Sequence, residues 1–385
     1  MENFAYQLPV RIRCGRGMVA QAGSEAVQHG KSAVIIAAAD SQDAAAKAQA
    51  SLSEAGVKSP IHIVEGNQAT AAEAAKAAKA GRDAMATLVI AVGDNTVCDI
   101  ARLTAYGLFD PDKVWDQLPR LGEGKDPERA APLVLIPTQI LCSVAHLGSG
   151  AVTNGATNER VAFGADNLQP KALLLDPEIT YTAPKATTNE TACLLIGSLL
   201  DGYLFGNDPN TPVQDRLVEA LIETIFENLP VVASNPSNYS ARANLLWVGA
   251  MASTGLCDTG RGGGKPIAAL ANVLAGKYNM APGRATALMT GALMLATCQD
   301  NCERIARLGH RLFGLPIMSP SMEEAAHKGV LQLKKWFHQQ GCLFTLPSAG
   351  VPREEIDGLE PLFAKAVDGV LSADTVNAVV QFASQ

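Results

Sequence analysis

The sequence predicts an α/β fold, with a Rossmann-like parallel sheet in the N-terminal half and an all-helical domain after it. Two observations carry this expectation. Short apolar runs alternate with Ala-rich amphipathic stretches over the first 180 residues. Strands buried on both faces read as continuous apolar runs, and alternation with helices implies right-handed βαβ crossovers. After "KALLLDP" (171–177) no strand candidate of comparable quality follows, and long helical patterns take over. A chain of 385 residues suits two domains, 1–180 and 181–385.

In order, "SAVIIAAAD" (32–40) is an apolar strand ending in an acid, and "SQDAAAKAQASLSEAG" (41–56) is a helix closed by Gly56. "IHIVEG" is a strand and "ATAAEAAKAAKAGRDA" a helix. "TLVIAVG" (87–93) leads into a helix over Thr96–Tyr106, and "APLVLIPT" is a fourth strand. The helical half holds "PKATTNETACLLIGSLLDGYLF", "QDRLVEALIETIFENLPVVAS" and "NYSARANLLWVGAMAS". "ALANVLAGKYNMAPGRATAL" (269–288) reads as helix, loop over Gly276–Gly283, helix. Ligands of open parallel sheets lie beyond the carboxyl ends of the strands, so the cleft between the halves is the expected site.

Composition narrows the function. The net charge is −7, without a Lys/Arg cluster to follow a phosphate backbone, which excludes nucleic acid. No apolar run reaches the ~18 residues of a membrane span. The start "MENFAYQLPVRIRCGRG" has neither a basic n-region nor an apolar h-region. The eight cysteines form no framework, so reduced thiols and a cytoplasmic location are expected.

The order and spacing of several segments resemble the iron-containing (group III) alcohol dehydrogenases, relatives of dehydroquinate synthase and glycerol dehydrogenase, over nearly the whole chain. "FAYQLPVRIRCGRG" is similar to that family's opening hairpin. "IAVGDNTVCDIAR" stands where the family has G-G-G-S-x-x-D-x-A-K. "LIPTQILCSVAHLGSGAVTN" stands where it has P-T-T-x-G-T-G-S-E and a strand. "LLLDPEITYTAPKATTNETACLLIGSLLDGYLF" and "AALANVLAGKYNMAPGRA" stand where it has its two metal helices. The resemblance implies a dehydroquinate synthase-like fold and nicotinamide-linked oxidoreductase chemistry.

The metal ligands of the family are missing. Its D-x3-H pair falls on Leu194 and Ser198, its two further histidines on Ala268 and Pro282, and a histidine near the reacting carbon on Asn272. Leu, Ala and Pro offer no ligand atom and Ser is a poor one. The six histidines, at 29, 62, 146, 310, 327 and 338, all lie outside both helices. No iron or zinc is therefore expected. Maleylacetate reductases of the wider family work without it.

The nucleotide turn is altered as well. Gly93 is kept and Thr96 is an adequate N-cap, but Asp94 and Asn95 replace glycines where a pyrophosphate docks. The partner loop reads Leu141-Cys142-Ser143-Val144-Ala145 in place of G-T-G-S-E, with Thr138 kept. Asp40 stands where the family has its ribose-binding acid, which suggests NAD over NADP; a helix N-terminal acid is the alternative. The cofactor-binding candidates are thus Asp40, Gly93, Asn95, Thr96, Thr138 and Cys142, with NAD(H) as the cofactor if one binds.

Charged groups could replace the metal. "CDTGRGGGKP" (257–266) could form an amide nest with Arg261 and Lys265. Arg284 follows the lost ligand position Pro282 and could stabilise an oxyanion. Lys277 reads as a surface residue and Asp201 as structural. Arg284, Lys265, Arg261 and Asn272 are the catalytic candidates. Cys98, Cys142, Cys193 and Cys257 align to segments bordering the expected cleft; Cys142, near His146, is the best candidate for an activated thiol. Cys298 and Cys302, four apart on a helix, read as packing.

Three readings follow. The first is a metal-independent oxidoreductase acting on a small carbonyl or alcohol. The second is an enzyme without hydride chemistry acting on an anionic small molecule. The third is a non-catalytic family member. An anionic or polarised small-molecule ligand is expected, and a homo-oligomer is left open.

Overall fold

The apolar runs of the first half become the strands of one sheet. The computed structural model describes all residues except 122, 124, 125, 144, 209 and 319; Val144 of the altered partner loop therefore lies outside the described residues. The strands are β1 (Arg11–Cys14), β2 (Ala33–Ala38), β3 (Ile61–Val64), β4 (Leu88–Gly93), β5 (Leu133–Pro137), β6 (Ser149–Asn154), β7 (Glu159–Gly164) and β8 (Ala172–Leu175). Six of them form a parallel sheet in the order β1-β8-β5-β4-β2-β3.

The helices of this half are α1 (Ala22–Ala26), α2 (Gln42–Glu54), α3 (Ala71–Asp83) and α4 (Asn95–Gly107). The sheet is buried on both faces. Val89, Ala91, Leu133 and Leu135 join one apolar cluster, and Leu88, Ile90, Val134 and Ile136 the other, as the period of two requires.

The later helices are α5 (Lys185–Phe205), α6 (Pro212–Ser234), α7 (Tyr239–Ala252), α8 (Pro266–Tyr278), α9 (Pro282–Ala296), α10 (Cys302–Phe313), α11 (Met322–Gln339), α12 (Leu359–Ala366) and α13 (Ala373–Ser384). No helix among the described residues is long and apolar enough to cross a membrane.

The chain forms two compact units. One comprises residues 1–6, 184–229 and 256–385; the other comprises 7–183 and 230–255. A single cut at residue 180 does not describe this grouping, because α7 belongs with the sheet. Its Gly249 explains the attachment: a Cβ there would come within 2.6 Å of Leu141 O and 2.8 Å of Ile140 Cγ2.

Four local expectations are corrected. The opening segment forms no hairpin; β1 pairs in parallel with β8, register Arg11↔Ala172. The strand expected at the end of "LIPTQILCSVAHLGSGAVTN" is β6, but it pairs as an antiparallel ribbon with β7, for which no strand was expected. The loop expected over Gly276–Gly283 shrinks to three residues, because α8 runs to Tyr278 and ends on Asn279 in the left-handed region (φ 50°), and Pro282 opens α9. Finally, Asp94, not Thr96, caps α4.

Candidate functional site

In the sheet unit, β2, β4 and β5 are neighbours, and their carboxyl ends carry Asp40, Gly93 and Thr138. Thr138 N donates to Gly93 O at 2.9 Å, and its hydroxyl lies 3.4 Å from Ser41 Oγ. Asp40 is exposed just past β2 and accepts from Ser41 Oγ at 2.9 Å. Gly93 cannot carry a side chain here: an added Cβ would meet three Val97 side-chain atoms at 2.6 to 3.0 Å. Three of the expected cofactor-binding residues thus stand in a row at the edge where open parallel sheets take ligands.

The substituted residues of the turn are engaged within the protein. Asp94 Oδ1 accepts from Val97 N at 3.1 Å, so a carboxylate of the chain itself caps the helix dipole. Burial pushes this carboxyl up from its ordinary value, against the hydrogen bond from Val97, and the nearby Asp40 adds to the rise. Asn95 donates to Ile140 O at 3.0 Å and accepts from Cys142 N at 2.8 Å. It therefore pins the loop after β5 rather than presenting its amide to a ligand. Thr96 Oγ1 donates to Asn67 O at 3.4 Å.

A buried ion pair holds the same loop from behind. Arg102, wholly buried, donates to Asp99 Oδ1 at 2.7 Å, Leu147 O at 2.8 Å and Ser143 Oγ at 3.0 Å. Asp99 Oδ2 accepts from Ala151 N at 3.1 Å. Burial lifts the Asp99 carboxyl to about 6, with Arg102 opposing the rise. Ser143 N also donates to Ser253 Oγ at 3.0 Å. Cys142 is buried, and His146 Nδ1 accepts from Gly148 N at 3.1 Å.

The helical unit contains the former metal positions. α5, α8 and α9 pack on one another, and the contact of α5 with α9 is close: a Cβ on Gly197 would fall 2.2 Å from Thr286 Cγ2, and one on Gly283 2.1 Å from Glu190 O. Leu194, Ser198, Ala268, Asn272 and Pro282 are all half-exposed on helices whose residues are largely buried. Their side chains do not fit a divalent ion. No group of three or more His, Cys, Asp or Glu able to hold a metal occurs among the described residues.

The cationic candidates are paired inside this unit. Arg284 Nε donates to Glu190 Oε1 at 2.7 Å. Lys265 Nζ donates to Asp258 Oδ2 at 2.6 Å. Arg261 is wholly buried; one terminal nitrogen donates to Gly202 O at 2.9 Å and the other lies 2.9 Å from Asp215 Oδ1. Lys277 pairs with Glu355 at 2.6 Å. The glycine loop does hold an anion nearby, but it belongs to the chain: a Cβ on Gly262 would fall 2.3 Å from Glu2 Oε2.

Asp201 is structural, as read from the sequence. Its two oxygens accept from Ile267 N at 2.7 Å and Ala268 N at 2.9 Å, capping α8. It is wholly buried, and burial lifts it to about 7 against the opposing charge of Lys265. Burial likewise pushes the Cys98 and Cys257 thiols up to about 12, and Cys193 well above its usual value, which removes the thiolate a nucleophile needs.

What the sequence did not reveal is the internal use of Asp94, Asn95 and Arg102. The signal for Asp94 was present: an Asp immediately before an apolar helical pattern is a strong N-cap.

Comparison with known proteins agrees with this framework on both halves. Residues 9–177 match the iron-containing alcohol dehydrogenase family and residues 200–373 its C-terminal counterpart. A probable NADH-dependent butanol dehydrogenase 1 of Bacillus subtilis (strain 168) is 26% identical over 369 residues, covering 93% of this chain and 92% of that protein. Maleylacetate reductase 2 of Cupriavidus pinatubonensis is 25% identical over 285 residues, covering 72% of this chain and 71% of the relative. The crystal structure of NADH-dependent butanol dehydrogenase A from Thermotoga maritima superposes with a TM-score of 0.90 at 25% identity, covering 100% of this chain and 99% of the other. With the sheet order, the βα turn and the paired helices all in the family's places, the chain belongs to the iron-containing alcohol dehydrogenase family.

Proposed function

We propose that this protein is a nicotinamide-linked oxidoreductase of the family that interconverts a small alcohol and its carbonyl compound without a divalent metal. The observation that supports it is the row Asp40, Gly93, Thr138 at the carboxyl ends of β2, β4 and β5. Asp40 would take the hydroxyls of a ribose, and Gly93 keeps the turn low enough for a nucleotide backbone. The nicotinamide ring supplies or accepts the hydride. The named activities of the relatives in Bacillus subtilis and Thermotoga maritima support the same reaction class. Metal independence rests on Leu194, Ser198, Ala268 and Pro282, which carry no competent ligand set.

One observation favours a second reading. Arg284, Lys265 and Arg261 are each held by an acid of the same unit, Glu190, Asp258 and Asp215. A group already neutralised is a weak electrophile, and a non-catalytic member would look like this.

The deciding assay is oxidation of NADH and NADPH with a panel of short-chain aldehydes and ketones, with and without EDTA. The proposal expects turnover that chelation leaves unchanged. Turnover abolished by EDTA and restored by zinc or ferrous iron would overturn the metal-free part. Absence of turnover across the panel would favour the non-catalytic reading.

A further inference from the structure

The turn that joins β6 to β7 contains the only asparagine of the chain that is followed by glycine, Asn154-Gly155. Asn154, half-buried, is the last residue of β6, and residues 155–158 form an exposed turn. Asn154 Oδ1 accepts from Ala156 N at 3.0 Å, two residues ahead. Such a bond turns the side-chain carbonyl forward, towards the intervening Gly155 peptide. The main chain is held separately: Asn154 O accepts from Asn158 N at 2.8 Å and from Thr157 N at 3.3 Å. Gly155 is exposed, and its N–H donates to no acceptor among the described residues.

We propose that Asn154 is a site of spontaneous covalent modification in the folded protein, converted through a cyclic imide into aspartate and isoaspartate. Hydroxide takes the proton of Gly155 N, and that nitrogen forms a bond to Asn154 Cγ. The Cγ–Nδ2 bond breaks, and ammonia leaves with a proton from water, which restores the hydroxide. A further water then adds to either imide carbonyl and breaks one ring C–N bond. Nothing is oxidised or reduced. Three features of the turn serve this chemistry. Gly155 sets no Cβ beside the attacking nitrogen. The Ala156 N–H sits on the oxygen where negative charge develops during attack, as the donor of an oxyanion hole does. No neighbour covers the glycine, since an added Cβ would meet nothing within 4 Å.

Asn158 is an internal control. It stands in the same exposed turn, but Glu159 follows it, and its own backbone is in the left-handed region at φ 56°. The product matters to the ribbon, because Asn154 pairs in register with Glu159. Aspartate at 154 places like charges directly opposite one another, which destabilises a cross-strand pair. Isoaspartate routes the chain through the side-chain carbon, and the added backbone atom breaks the period of two. Thr153 N, the next amide back, donates to Ala69 O at 2.8 Å and links the altered end of β6 to the turn before α3.

The test is incubation of the full chain at physiological temperature and mildly alkaline pH, with a parallel sample in urea. Digestion and mass spectrometry then follow the peptides that carry Asn154 and Asn158. Conversion at Asn154 should exceed that at Asn158 by about tenfold or more, and its rate in the folded protein should lie within about tenfold of the rate in urea. Gly155→Ala has room for its Cβ and no left-handed backbone to strain, so its unfolding midpoint should stay in place. Its conversion should slow by about tenfold or more, because the methyl group hinders the approach of the nitrogen. Conversion at Asn154 no faster than at Asn158, or seen in urea alone, overturns the proposal. So does an undiminished rate in folded Gly155→Ala. Should that variant fail to fold, the comparison of Asn154 with Asn158 in the parent protein decides.

Discussion

The carboxyl edge of the sheet and the three helices α5, α8 and α9 use their residues in opposite ways. At the sheet edge, polar residues are turned inward: Asp94 caps its own helix, and Asn95 bridges to Ile140 and Cys142. In the helical unit, Leu194, Ala268 and Pro282, where the resemblance places metal ligands, carry no ligand atom, while Gly197 and Gly283 close α5 onto α9. The lesson is that framework and chemistry are separable. Close helix contacts and sheet register depend on glycines and apolar volume, and these persist whether or not a ligand set does.

The sharpest way to break this comparison is at Arg102. If the loop after β5 is held by internal pairing, Arg102→Ala leaves Asp99 buried without its cation and Ser143 and Leu147 without their donor, and costs about 3–5 kcal/mol of unfolding free energy. Chemical denaturation with a matched Leu147 control checks it; a loss within the range of an ordinary surface substitution would mean the loop does not depend on the pair.

A second prediction lies in the helical unit. Asp201 titrates near 7 in the fold and near 4 when unfolded, so the folded state holds more protons between those values. Its contribution to stability is greatest below about pH 4 and is lost as pH rises towards 7. Relative to Asp201→Asn, the parent should lose on the order of a few kcal/mol across that window in denaturation experiments. Parallel pH profiles would remove the buried-cap account of Asp201.

The smallest effect is expected at Arg284. Its partly exposed pair with Glu190 should be worth about 0–1 kcal/mol, so Arg284→Ala should barely move the unfolding midpoint. A hundredfold loss of turnover in that variant would instead restore Arg284 to the catalytic role its sequence position suggested.

Much of the fold was legible for a simple reason. β2, β4, β5 and β8 are buried on both faces and read as unbroken apolar runs, while α2 and α3 carry Ala-rich amphipathic patterns. The resemblance places a strand at β6, but β7 and the antiparallel pairing were not legible, because "ERVAFG" mixes Glu, Arg and apolar residues without a clear period. β1, "RIRC", is a polar edge strand whose partner β8 lies some 160 residues away, so no local signal reveals its pairing. At the site, residue identity alone says that Leu194, Ala268 and Pro282, where the resemblance places metal ligands, offer no ligand atom. The pairing of Arg261 and Arg284 could not be read, since Asp215 and Glu190 come from distant helices, and charge in a sequence does not say which acid it meets; only Lys265 finds its acid, Asp258, within its own segment.

The most direct measurement of the central claim is metal content. Parent protein incubated with ferrous iron or zinc and then desalted should retain far less than one metal per chain. A variant carrying Leu194→Asp, Ser198→His, Ala268→His and Pro282→His should move towards one, because the helices that position those residues are kept. Parent protein that holds about one tightly bound iron or zinc per chain, with NADH-dependent turnover lost on its removal, would contradict the account.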